Sequence, residues 1–158
     1  MFKTLFKNVL ILLPFYFLLV MTCASQPLLA RNLSIESKEY LIQIRVDTQI
    51  IMAVLEDSEI TRDFISLLPL TAELADYSST EKITYLPRKL QTHNTPDGIV
   101  PEAGDITYYA PWGNIAIFYQ SFRYSSGLVR LGKITHGLEY LQFKSPKQVV
   151  IELIQENK

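Results

Sequence analysis

The sequence predicts a mainly β domain: a closed or nearly closed eight-stranded antiparallel barrel with one principal helix. Three observations predict it. Apolar residues recur at period two in several short runs separated by turn chemistry. Only one stretch shows a helical stripe, and no strand–helix–strand alternation occurs, so a parallel sheet is not indicated. The stretch Gly104 to Gln120, GDITYYAPWGNIAIFYQ, reads as two buried strands about a tight turn. Eight strands make a barrel whose interior side chains can just fill.

The elements follow in order. Tyr40, Ile42, Ile44 and Val46 alternate with Leu41, Gln43, Arg45 and Asp47, and Asp47-Thr48-Gln49 turns into the apolar run Ile50 to Leu55. Asp57 or Ser58 can cap the helix, and Glu59 and Asp63 place negative charge in its first turns, where the backbone dipole favours it. Ile60, Phe64, Leu67 and Leu68 form its stripe and Pro69 ends it. Thr71 to Tyr77 alternates, with Ala72 and Leu74 inward. The polar turn Ser78 to Lys82 leads to a strand over Ile83 to Leu86, stopped by Pro87.

His93 to Glu102 is the longest loop. In the hairpin that follows, Asp105 to Tyr109 sets Ile106 and Tyr108 on one face and Thr107 and Tyr109 on the other. Ile115 to Tyr119 is apolar throughout, as a strand covered on both faces would be. Ala110 to Asn114 joins them with Pro, Gly and Asn, and carries Trp112, the chain's one tryptophan. Tyr124 to Gly127 turns into Leu128 to Ile134, Gly137 to Leu141 makes one helical turn, and Gln148 to Ile154 is the last strand.

Before this domain (40–158) stand two other segments. Lys3 and Lys7 precede the apolar run Val9 to Met21, broken by Pro14, a basic region and hydrophobic stretch of signal-peptide form and shorter than the ~20 residues of a membrane span. An uncleaved N-terminal anchor is the alternative. Cleavage after Ala24 gives a signal of residues 1–24; a boundary at 22 before an acylated Cys23, or at 30 after Ala30, is equally open. Residues 25–39 form a polar linker. The protein is therefore expected to be exported, periplasmic or secreted, and to meet a membrane only through a lipid on Cys23. With that single cysteine no disulfide can form within the domain, so its stability rests on the core.

Composition excludes several functions. Hydrophobic residues make up 48% and charged residues 20%, which suits a folded globule, and the net charge is −1 with no basic patch, so nucleic acid is not an expected partner. Two histidines, His93 and His136, with one cysteine cannot assemble a typical zinc site. Gly98, Gly104 and Gly113 are isolated, so no phosphate loop is present, and no Gly-x-Ser-x-Gly elbow occurs. No cofactor and no metal are assigned.

The run Phe64-Ile65-Ser66-Leu67-Leu68-Pro69-Leu70-Thr71, then Thr80-Glu81-Lys82, Leu86-Pro87, Ala103-Gly104-Asp105-Ile106, Phe118-Tyr119 and Arg130-Leu131-Gly132-Lys133-Ile134 resembles the bacterial cyclophilin-like proteins. The resemblance covers about Tyr40 to Ile154 and implies the barrel of the peptidyl-prolyl isomerases. Ser78-Ser79 departs from it, standing where that family often has Asn-Gly. The isomerase signature, Phe-His-Arg followed by Phe-x-x-Gln-Gly-Gly-Asp, cannot be placed on this chain, so the catalytic set does not transfer with the fold.

What remains is a population of aromatic rings and arginines. Tyr108, Tyr109, Trp112, Phe118, Tyr119, Phe122 and Tyr124 lie close together in sequence. Tyr108 and Phe118, on strands, suit a core; Trp112, on a turn, suits a core cap or a binding contact equally. Arg130 lies in a strand that otherwise reads as buried. It either pairs with a carboxylate (Glu81, Asp105 or Asp76) or lines a groove and polarises a ligand carbonyl. The ligand-binding candidates are thus Trp112, Tyr109, Phe118 and Arg130, for a peptide or small molecule held without catalysis. The alternative is a periplasmic prolyl isomerase with a degenerate site, drawing its guanidinium from Arg130 or Arg123.

Overall fold

Alternation at period two closes into a ring of eight strands. The computed structural model describes residues 38–157. The expected signal segment, Cys23 and nearly all of the linker lie outside the described residues. Strands β1 (Glu39–Val46), β2 (Gln49–Glu56), β3 (Leu70–Tyr77), β4 (Glu81–Tyr85), β6 (Asp105–Tyr109), β7 (Asn114–Phe118), β9 (Leu128–His136) and β10 (Lys147–Asn157) form a closed barrel. Around the ring the order is β1-β10-β3-β4-β7-β6-β9-β2, every pair antiparallel. The eight expected strands are these eight.

Because successive side chains point to opposite faces, each strand divides its residues between two environments. Inside lie Ile42, Ile44, Ile51, Ala53, Leu55, Leu74, Ile106, Tyr108, Ile115, Ile117, Val129, Leu131, Val149 and Ile151, one continuous core. Helix α1 (Glu59–Ile65) adds Ile60 and Phe64 to it. Ser58 supplies the cap, its side chain accepting from the Thr61 N–H at 3.1 Å. Asp57 instead accepts from the Tyr40 hydroxyl at 2.8 Å and from Arg62 at 2.6 Å. The helix is shorter than its apolar stripe: Leu67 and Leu68 follow its end, still partly buried against the core. The residue before a proline resists the α conformation, which keeps Leu68 out of the helix.

Gly132 shows how tightly the ring closes. A Cβ there would stand 2.1 Å from the Val54 carbonyl oxygen and 2.6 Å from the Leu55 Cα, so β9 can lie against β2 only without a side chain at that position. The turn between β3 and β4 is unusual in another way. Ser78 and Ser79 both have positive φ, 51° and 53°, and the Thr80 N–H donates to the Tyr77 carbonyl at 3.1 Å. Two left-handed residues under such a bond follow the type I′ pattern, which favours Asn-Gly.

The loop expected over His93 to Glu102 contains a short strand. β5 (Gly98–Ile99) pairs with β8 (Ser125–Ser126) as a two-stranded ribbon outside the barrel. Two residues on each side are too few to show a period, so the sequence reads them as loop and turn. The Gly127 N–H donates to the Asp97 carbonyl at 2.7 Å and the Ala110 N–H to the Gly127 carbonyl at 2.9 Å, fastening the ribbon to the central hairpin.

Candidate functional site

The outward residues of β4, β6, β7 and β9 build a second, smaller apolar cluster. Ala116, Phe118 and Leu128 are buried there, with Ile83, Ile99 and Tyr109 packed against them. The ribbon and the β7–β8 connection wall it on one side and the β6–β7 turn on another. Between them lies a concave site of about 320 Å³, within the range of small-molecule pockets.

Trp112 stands at its edge, 45% exposed. Its ring meets Tyr77 and Tyr109 edge to face, both at centroid distances of 5.5 Å. Phe118 and Phe122 complete the aromatic lining. Gly113, at φ 76°, lets the chain re-enter β7 directly after the tryptophan, its N–H donating to the Tyr109 carbonyl at 2.9 Å.

Two polar residues of the lining carry an oxygen acceptor without a partner. Glu81, first residue of β4, lines the cavity, and its carboxyl has no hydrogen-bond or ion-pair partner among the described residues. Burial pushes its carboxyl up to about 7, and no neighbouring charge pulls it back. Asn114, 1% exposed, donates through Nδ2 to the Ile115 carbonyl at 3.1 Å, which leaves Oδ1 as an unsatisfied acceptor. Arg123 is the cavity's one basic residue. It is exposed, and its guanidinium lies 5.3 Å from the centroid of the Phe122 ring.

Of the four residues expected at a site, Trp112, Tyr109 and Phe118 come together here. Arg130 does not line the cavity. Its Nη2 stands 2.9 Å from Oδ2 of Asp105, a wholly buried carboxylate that also accepts from the Glu102 N–H at 2.9 Å. Lys133 lies 4.0 Å from the other Asp105 oxygen. Sequence reasoning missed Glu81 and Asn114 as site residues, and it placed Tyr77 only as a strand end. The strand period alone could not have found Glu81, because the sequence reads it in the polar turn before the strand; observed in β4, it shares a face with Ile83.

A different charge is buried inside the barrel. Lys82, 0% exposed, stands 2.5 Å from Oδ1 of Asp76 and donates to the Phe143 carbonyl. Its Nζ lies over the rings of Phe143 and Tyr119, at 4.3 and 5.0 Å from their centroids. Lys82 holds the Asp76 carboxyl below the usual range, with the Tyr119 hydroxyl assisting. Burial, with Asp76 beside it, raises the Tyr119 phenol to about 12. Among the described residues no three His, Cys, Asp or Glu side chains converge as a metal site requires.

The model of the cyclophilin-like family matches residues 44–152. Among solved structures, the chain is similar to the hypothetical protein AF2241 from Archaeoglobus fulgidus, determined in solution. The match has a TM-score of 0.57 and 20% identity, and covers 73% of this chain and 95% of that one. That likeness carries the barrel alone. No curated protein matches.

Proposed function

The chain belongs to the cyclophilin-like family, and from that premise we propose that it is an exported binding module that holds a peptide or small ligand in the Trp112 cavity without catalysis. The observation that carries this reading is the cavity itself: five aromatic rings around two unpartnered polar groups, on the outer face of a barrel whose core is already complete. A folding requirement alone favours covering such rings and pairing such a carboxyl. A ligand supplies both.

The isomerase alternative is less well supported. Rotation about an X-Pro bond, with a barrier of ~18–20 kcal/mol, needs an apolar pocket for the ring and a fixed donor at the amide. The guanidinium best fixed in place, that of Arg130, is held by Asp105 away from the cavity. Arg123 is at the cavity but exposed. Export rests on Lys3, Lys7 and the run Val9 to Met21.

The test joins two measurements on the purified protein. Small fragments and short peptides, screened by NMR, should shift the resonances of Trp112, Tyr109 and Phe118. A proline-peptide assay should show no acceleration over the uncatalysed rate, which at tens to hundreds of seconds is slow enough to reveal a modest catalyst. Robust turnover, lost in Arg123→Ala or Arg130→Ala with the fold intact, overturns the binding-module reading in favour of the enzyme. Mass spectrometry of the native N-terminus tests export; an intact Met1 in a cytosolic fraction refutes it.

A further inference from the structure

We propose that the Trp112 cavity recognises an organic cation, a primary ammonium or guanidinium group such as a lysine or arginine side chain presents. The inference rests on the binding-module reading above and adds the chemistry of the ligand.

The cavity's fixed, unpaired polar groups are both acceptors. Glu81 offers a carboxyl with no partner, and Asn114, almost wholly buried, offers Oδ1, whose identity its own Nδ2–Ile115 bond establishes. The Asn114 oxygen lies beneath the surface, so the Glu81 carboxyl is the acceptor that a ligand in the cavity can meet, and an incoming N–H group satisfies it directly. A ligand made only of acceptors leaves the carboxyl without a donor.

The walls point the same way. Tyr77 and Trp112, and Trp112 and Tyr109, meet edge to face at 5.5 Å, so the three rings form a corner rather than a flat stack. An aromatic lining favours a cation over a neutral group of equal size wherever the cation can lie over a ring face. Glu81 then supplies the opposite charge. Inside the barrel the same chain already holds a cation in this manner: Lys82 sits between Asp76 and the rings of Tyr119 and Phe143. The outer cavity repeats the carboxylate-and-ring composition, with Arg123 exposed at its rim.

Arg123 is the one like charge at the cavity. It is exposed and makes no ion pair with Glu81, and burial is the only influence on the Glu81 carboxyl. Arg123 therefore occupies the rim over Phe122 and leaves the carboxyl free. The remaining titratable groups in the lining are the phenols of Tyr77 and Tyr109. Since Glu81 must be ionised to meet a cation, affinity should rise as pH increases through about 7 and level off above it.

Three probes of similar size and different charge test this: benzylammonium, benzyl alcohol and benzoate. Each is titrated against the purified protein at pH 8, with the fluorescence of Trp112 as the signal. Benzylammonium should bind about tenfold more tightly than benzyl alcohol, a cation–π contact and an ion pair together supplying that factor. Glu81→Gln should abolish most of the preference of the cation over benzyl alcohol, and lowering the pH to 5.5 should do the same in the wild type. Equal or tighter binding of benzyl alcohol or benzoate overturns the cation assignment and leaves the binding-module reading standing. A cation preference that survives Glu81→Gln overturns it too. If none of the three probes reaches the cavity, the cation assignment and the ligand-binding reading both fail.

Discussion

Replacing Glu81 by glutamine should stabilise the protein at neutral pH, by an amount that depends on pH in a defined direction. The carboxyl has an ordinary value of 4.5 and is pushed up to about 7 by burial in the folded state. Between those values the folded chain holds a proton that the unfolded chain has released. Stability therefore falls as pH rises from 4.5 to about 7, and the loss persists above it. This is opposite in sign to the usual paired carboxylate.

Taken at face value that shift is worth at most about 3 kcal/mol. The carboxyl faces an open cavity and is not sealed in the core, so solvent reduces the cost, and we expect about 1–2 kcal/mol. Glutamine keeps the shape and lacks the charge. The measurement is a pair of urea denaturation series, wild type and Glu81→Gln, from pH 4.5 to pH 8. Every other titratable group is common to both proteins, so its contribution cancels in the difference. The two proteins should be equally stable near pH 4.5 and diverge in favour of glutamine toward pH 8. A difference that is flat with pH, or that grows on acidification, refutes the placement of an unpaired carboxyl in this cavity.

Arg130→Leu should cost about 2–4 kcal/mol in thermal or urea denaturation, because Asp105 stays wholly buried with only the more distant Lys133 to offset its charge; an unchanged melting curve removes the structural role of the pair. Lys82→Met should cost about 3 kcal/mol at pH 7 by stranding Asp76 and the Phe143 carbonyl. Since Asp76 is depressed from 3.8, that penalty should shrink as pH falls below its ordinary range, and a pH-independent penalty argues against the ion pair. Ser78→Asn with Ser79→Gly should stabilise the β3–β4 turn by about 1 kcal/mol, seen as a raised denaturation midpoint, because both positions have positive φ. Gly132→Ala should prevent folding or cost several kcal/mol, its Cβ meeting backbone atoms of β2; a folded alanine variant with native stability contradicts the strand packing.

The barrel was legible because its signal is repeated. Tyr40 to Val46, Thr71 to Tyr77 and Asp105 to Tyr109 each carry enough alternating residues to state a strand, and Ile60 and Phe64 state a helix. Trp112, Tyr109 and Phe118 could be gathered because they lie within ten residues of one another, on one hairpin. Arg130 could be recognised as needing a carboxylate, and Asp105 was one of three candidates, but choosing among them requires the register that sets Thr107 opposite Arg130. Glu81 and Asn114 carry no local mark. A glutamate at a strand start after a polar turn reads as solvated, and an asparagine after glycine reads as turn. Both become site residues only when β4 pairs with β7 and the ribbon of β5 and β8 walls the surface from outside.

Adjacent residues of β4 show most directly why the cavity is more than incompletely packed surface. Lys82 points into the barrel and receives a carboxylate, a backbone carbonyl and two aromatic rings. The carboxyl of Glu81, one residue earlier and on the opposite face, receives no ion pair and no hydrogen-bond donor, although Arg123 lines the same cavity. The fold therefore has the means to partner a buried charge on this strand and does so where stability is at stake. The unpaired state lowers stability at neutral pH, and folding gains nothing from it. A site that trades stability for an open, charged, aromatic-walled volume is the common signature of binding. The ligand proposed above would have to reach Glu81 from the Trp112 side, since on the other face of the sheet the barrel core is filled.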